Sequence, residues 1–372
     1  MRFVYFNLMP WTEGNETAQD WPVANKRYDP VRGTDVYREY LDNMAYAEEC
    51  GFDFVGCNEH HMSPFGLQAN PTIIAGAITQ RTKRVGLAVT GCLVPLLNPI
   101  RVAEEYAMLD VISGGRLLAG LLRGIPHEYV AYNVPPDESH GRLIEAVELI
   151  KKAWTEPEPF GWEGEFYQFR AVSIWPRPRQ QPHPPIVMSG QSPSSARIAA
   201  EQRAILGQVL IHDVAAAREH IRIYKEHAES LGWQPSSDHI MIGATCCVAD
   251  TWDEAKRLMS EGRRYFADVL SGGLRTAQRI VLQKTRYYED GYGSKFRDIR
   301  QAVQQPIEKV IDAGLVLCGT PKMVVEQLKR LHREYGHGIM QINMKVGNIP
   351  LDAVTRGMTL FKEEVLPEVR GL

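Results

Sequence analysis

The sequence predicts a (β/α)₈ barrel. Apolar, β-branched runs recur along the 372 residues, and each is followed by a stretch of helical periodicity. The first strand also lacks the glycine-rich GxGxxG turn that a doubly wound open sheet, the alternative α/β architecture, would carry. Length alone leaves one or two domains open, but α/β barrels with insertions reach this size as a single unit, and residues 1–372 read as one.

Residues 2–9 (RFVYFNLM) form the first strand by their aromatic and β-branched content. The polar loop from Pro10 to about Gly33 is long for a connection and reads as an active-site loop. Helix one covers about 34–50, with Val36, Tyr40, Met44 and Ala47 on one side, and stops at Gly51. Strand two is 52–57. Helix two opens at Asn70-Pro71, with proline at its favoured first position, and ends near Arg84. Strand three, 85–93, is apolar on both faces, as a buried parallel strand requires.

Helix three opens at Asn98-Pro99 and reaches Gly114-Gly115, with Met108, Leu109 and Val111 assigned to the core. Strand four, 116–122, runs straight into Arg123-Gly124, and helix four covers about 140–154. The Pro-, Trp- and Gly-rich stretch 156–185 reads as an excursion with a small hairpin. Strand five, Ile186–Ser189, leads into GQSPSS and a helix over about 194–203. Strand six (205–211), a helix (214–231), strand seven (240–249) and a helix from Thr251 follow. Between about 262 and 311 the periodicity weakens. The alternation resumes with LVLCGTP, a helix over 321–335, strand eight over 339–346 and a closing helix after Pro350.

Hydrophobic residues make up 44 % of the chain, enough for a large core. A net charge of −3 argues against an obligate nucleic-acid or membrane-surface role. No apolar run reaches the roughly 18 residues that span a bilayer, and MRFVYFNLMP enters a strand without the pattern of a signal peptide. Six cysteines without CxxC spacing read as reduced core thiols of a cytoplasmic enzyme, not as disulfides or a zinc centre, and no metal is expected.

In such a barrel the chemistry lies at the carboxyl ends of the strands. The second strand ends in Glu59, His60 and His61, where an adjacent imidazole pair suits acid–base work near neutral pH. The blander reading makes one histidine a strand cap and leaves the other solvated. After strand five, Gly190 allows close backbone approach, and Ser192, Ser194 and Ser195 open a helix whose free N–H groups and dipole favour an anion. Arg123, at the neighbouring strand end, would complete a phosphate site. Taken singly, the serines are N-caps and Arg123 a surface ion-pair partner; taken together they favour phosphate. His140 either faces the pocket or merely sits in the first turn of its helix. Trp11, Phe65, Trp162 and Tyr167 are either pocket aromatics or packing.

The runs EHHMSPFGLQANP, NPIRVAEEYAMLDVISGGRLLAGLLRG, PPIVMSGQSPSSARIAAE and CGTPKMVVEQL, in that order along nearly the whole chain, resemble the bacterial-luciferase-like flavin monooxygenases. The resemblance implies a TIM barrel, reduced FMN as a diffusible cosubstrate, a separate NAD(P)H:flavin reductase that supplies it, and O₂ activated as a flavin C4a-(hydro)peroxide; a homodimer is the expected assembly. It makes His60 the catalytic histidine, beside Glu59 and His61. It gives Arg123, the backbone at Ile125, Ser192 and Ser195 to the flavin phosphate; Gly190, Gln191 and His140 are the further cofactor-binding candidates. It sets a cis peptide under the flavin ring near residues 88–91, including Ala88, and makes 262–311 a lid in which Lys284, Arg286 and Tyr287 close over substrate. Two departures stand out. Leu122 replaces a luciferase-type cysteine that modulates flavin reactivity, which puts light emission in doubt, and Gln191 replaces an acidic residue. An F420-dependent oxidoreductase of the same superfamily is the sibling reading. A non-catalytic flavin-binding barrel is a third, but such a chain should lack the histidine, and this one keeps Glu59-His60-His61.

Overall fold

The computed structural model describes residues 1–15, 17, 21–211, 213–271, 281, 285 and 305–372. Among them, eight parallel strands close into a ring. In chain order these are β1 (Arg2–Phe6), β2 (Phe54–Cys57), β3 (Gly86–Val89), β4 (Leu117–Gly120), β7 (Ile186–Ser189), β8 (Ile205–Gln208), β9 (Ile240–Val248) and β11 (Ile339–Asn343). Each pairs with the next, and β11 pairs back onto β1 with Val4 opposite Gln341, so no edge is left open. The closed parallel ring with its helices is the expected (β/α)₈ TIM barrel.

The LVLCG run behaves differently from the ring strands. It forms β10 (Val316–Gly319), which lies outside the ring and pairs with the outer half of β9, Cys318 opposite Cys247. The excursion contains an antiparallel hairpin, β5 (Phe160–Glu163) and β6 (Gln168–Val172), on the outside of the barrel. The Glu145 carboxylate holds its turn by accepting from the N–H groups of Phe166 (2.8 Å) and Tyr167 (3.0 Å).

Helix starts follow one chemical pattern. Helix α1 (Pro30–Glu49) has Asp29 as N-cap, α2 (Pro71–Arg81) has Asn70, and α3 (Pro99–Ser113) has Asn98; each cap accepts two N–H groups and each helix has proline at its first position. Helix α1 therefore starts four residues before the expected 34, because Asp29-Pro30 nucleates it and Gly33 fits inside its first turn. Of Met108, Leu109 and Val111 in α3, Leu109 is buried. Met108 and Val111 are exposed with Ile112, so two of the three expected core residues lie on an open face. All six cysteines are buried and unpaired.

At the bottom of the barrel one buried histidine predicts an acid sensitivity. His337 is fully buried between the last turn of the preceding helix and β11, and neither ring nitrogen has a partner. Burial, with lesser help from His332 and the chain amino terminus, pushes its pKa down to about 3. The unfolded chain takes up this proton near 6.5 while the folded chain refuses it until much lower pH. Stability should therefore fall as pH drops from about 6.5, by up to about 1.4 kcal/mol per unit for this proton. Urea denaturation of His337→Leu at several pH values should show a slope shallower by that one proton; an unchanged slope would remove His337 as its source.

Candidate active site

A cavity of about 370 Å³ opens at the carboxyl ends of the ring strands. Ligand pockets commonly begin at about this size. Its floor includes Thr90 and Gly91 beyond β3, and Gln341 and Asn343 of β11. Glu59, His60 and Phe65 form one side, and Arg123, Ile125, His140, Gln191, Ser192 and Ser195 the other. The imidazole and the serine-rich helix start thus face one cavity.

Hydrogen bonds pin the His60 side from below. The Asn58 N–H donates to Gln68 Oε1 (3.1 Å), and both amide side chains donate to the Asn7 carbonyl. Only glycine fits at position 91, since a Cβ there would sit 2.2 Å from the Asn58 Cα. The end of β3 therefore runs hard against the loop that carries Glu59 and His60.

Behind His60 lies a pair that sequence reasoning missed. A short helix, α4 (Pro126–Tyr132), follows Arg123-Gly124 and carries His127 and Glu128, both fully buried. Glu128 Oε1 is 3.1 Å from His60 Nδ1 and 2.9 Å from His127 Nε2. The second contact is out of line for a hydrogen bond, which leaves both ring nitrogens of His127 without a partner. Burial would raise the Glu128 carboxyl, but contacts with the two histidines outweigh it and hold the pKa at about 2. A carboxylate only accepts, so His60 Nδ1 carries the proton and Nε2 keeps a lone pair for a cavity ligand. The neighbouring pair is bonded to itself: His61 Nε2 donates to Glu59 Oε1 (2.9 Å), and the Tyr132 hydroxyl lies 3.3 Å from His61 Nδ1. Glu59 Oε2 accepts from the Leu93 N–H (3.0 Å).

On the opposite side, helix α5 (Pro193–Glu201) opens at Ser192. Ser192 Oγ accepts from the Ser195 N–H (3.2 Å), and Ser195 Oγ from the Ser192 N–H (2.9 Å), a reciprocal cap. The serines are thus N-caps, and they also line the cavity. Gly124, at φ +88°, turns the chain so that Arg123 and Ile125 both reach the cavity. Among the described residues, the buried Asn58 Oδ1 and Asn343 Oδ1 lack a donor although both residues line the cavity. An apolar well with an anion-friendly helix start and spare carbonyl acceptors fits a flavin, whose phosphate and ring N–H groups need those partners.

Several expected residues fall elsewhere. Ala88 is fully buried with Val4 and Leu118 in an apolar layer below the cavity, so its strand meets the cavity through Thr90 and Gly91. The cis peptides of the described residues precede Pro22, Pro176 and Pro182, so none lies within 88–91. Gly190 stands behind the wall, where a Cβ would meet Leu206 Cδ1 at 2.2 Å. His61 is buried behind Glu59. Of the four aromatics, Phe65 lines the cavity, while Trp11 packs on Tyr28 and Trp162 and Tyr167 belong to the hairpin region. Lys284, Arg286 and Tyr287 lie outside the described residues.

A parallel barrel with an imidazole and a serine-capped helix start at one mouth is an arrangement that cofactor-binding α/β enzymes use. Comparison with known proteins narrows it. The luciferase-like monooxygenase family model matches residues 1–338, and the chain belongs to that family. It is 28 % identical over 338 residues to an alkanal monooxygenase alpha chain of Photorhabdus luminescens, covering 90 % of this chain and 92 % of the relative. It is 31 % identical over 169 residues to the oxygenase component of a flavin-dependent trigonelline monooxygenase of Acinetobacter baylyi, covering 45 % and 46 %. The match thus spans about half the length of that relative. Among solved structures, the monooxygenase RslO1 of Streptomyces bottropensis superposes with a TM-score of 0.77 at 25 % identity over 99 % of both chains. The FMN-bound oxygenating component of 3,6-diketocamphane monooxygenase of Pseudomonas putida shares the fold, with a TM-score of 0.71 at 22 % identity over 96 % and 99 %.

Proposed function

We propose that this chain is the oxygenase component of a two-component monooxygenase that uses FMNH₂ and O₂ to oxidise a small organic substrate. The observation that carries the reading is the shared cavity: His60, oriented by Glu128, faces the same space as Arg123, Ser192 and Ser195. Bound reduced flavin supplies two electrons, so that one oxygen atom enters the substrate and the other leaves as water. The protein binds, orients and shields. Ser192, Ser195 and Arg123 would hold the phosphate, and the backbone at Ile125 lies beside them. His60 Nε2 accepts a proton from the reacting oxygen or from substrate. Phe65, packed against Phe266 at 5.1 Å, gives the entrance an apolar lining. A separate NAD(P)H:flavin reductase would deliver the flavin, in line with the oxygenase-component relative.

Turnover with FMN, a flavin reductase and a panel of aldehydes, ketones, sulfonates and N-heterocycles should consume O₂ and, with ¹⁸O₂, place one labelled oxygen atom in the product. Hydride transfer from reduced F420 without O₂ uptake would overturn the reading in favour of the deazaflavin sibling.

The assembly inferred is a homodimer. Ile73 of α2 and Met108, Val111 and Ile112 of α3 are exposed on two helices that pack together, an apolar face of the kind that marks an interface. Sedimentation at micromolar concentration should give a dimer for the native chain and a monomer for Ile112→Glu; a monomeric native chain would reject this interface. The six buried, unpaired thiols support a cytoplasmic setting.

A further inference from the structure

We propose that His60, His127 and Glu128 form a binding site for a first-row divalent cation of the zinc–cobalt–nickel kind, and that filling it switches off His60. One ligand atom from each residue lies within 4.8 Å of the others. The Glu128 Oε1 distances of 3.1 and 2.9 Å to the two imidazoles are close to the edge lengths of a tetrahedron around such an ion, about 3.3–3.5 Å for bonds of about 2.0–2.1 Å. Imidazole and carboxylate are the donors that suit these borderline ions.

Two of these residues also hold buried polar atoms whose bonding capacity is unfilled. His127 and Glu128 are fully buried, yet His127 Nδ1, His127 Nε2 and Glu128 Oε2 have no hydrogen-bond partner. Buried polar atoms are costly when left unpaired. The rings of His60 and His127 lie within 20° of parallel, 6.5 Å apart, with the carboxylate between them. His60 is also the one of the three that lines the cavity, so the ion would enter from there.

The consequence for His60 follows from its two nitrogens, and it rests on the monooxygenase reading. With Nδ1 bound to the ion, the one proton of the neutral ring must sit on Nε2. The nitrogen facing the cavity then donates where it had accepted, and the base is lost. No bond of the substrate is made or broken by the ion.

Cobalt(II) titrated into the flavin-free chain should bind at one equivalent with visible d–d absorption, and His127→Gln and Glu128→Gln should each lose the band. His60→Ala, a cavity-facing change, tests the same point if either buried variant does not fold. Stoichiometric zinc should lower turnover of the reconstituted enzyme at least tenfold. No saturable cobalt binding at millimolar concentration, or a band that survives in all three variants, overturns the site; zinc bound without loss of turnover overturns the switch. The cobalt experiment uses neither flavin nor substrate, so its outcome is separate from that of the oxygenase assay.

Discussion

Replacing His60 with alanine is expected to lower product formation by about 100-fold or more while leaving FMNH₂ affinity nearly unchanged, as for loss of a general base. The imidazole is held from behind by a carboxylate kept ionised at about 2, and Nε2 is its only nitrogen open to the cavity. The ring is partly exposed and packs edge-on against Phe65 at 4.5 Å, so the truncation leaves the fold intact. Stopped-flow binding of reduced flavin, set beside product yield, separates the two effects. Unchanged turnover would take His60 out of the chemistry.

Replacing Arg123 with alanine should instead weaken FMN binding by about 1.5–3 kcal/mol, the range for a hydrogen bond to a charged group, or roughly 10- to 150-fold in Kd. The Tyr129 hydroxyl donates to the Arg123 main-chain carbonyl, a contact that the substitution keeps. Riboflavin, which lacks the phosphate, supplies the cross-check: the native and variant chains should bind it alike. An unaltered FMN dissociation constant would reject the assignment.

The ring was legible because its strands are short apolar runs, and because Asn70-Pro71 and Asn98-Pro99 write two helix starts into the sequence. Which side of a strand faces inward was not. Strand β3 is buried on both faces, so no polar–apolar alternation marks its inward side, and Ala88 and Thr90 share that side but sit one layer apart, a difference in depth that periodicity does not carry. For the same reason VLCG reads like any ring strand although it lies outside the ring. At the site, Glu59-His60-His61 and the serines stood out as polar breaks at strand ends. His127 and Glu128 did not, because α4 has only seven residues and its contact with His60 joins positions 68 apart. The HE dipeptide just after Arg123-Gly124 was the available signal.

Beneath the cavity, Gln341 reaches across the barrel, donating to the Val209 carbonyl (3.1 Å) and accepting from Thr90 Oγ1 (3.3 Å). Below it Val4, Ala88, Leu118, Val187, Ile205, Met241 and Ile339 fill the interior. Among the described residues the well is therefore a cul-de-sac, closed from beneath and entered from the carboxyl-end mouth. Whatever lies deepest must arrive first and depart last, which imposes a sequence on loading and unloading that no rate constant has to enforce.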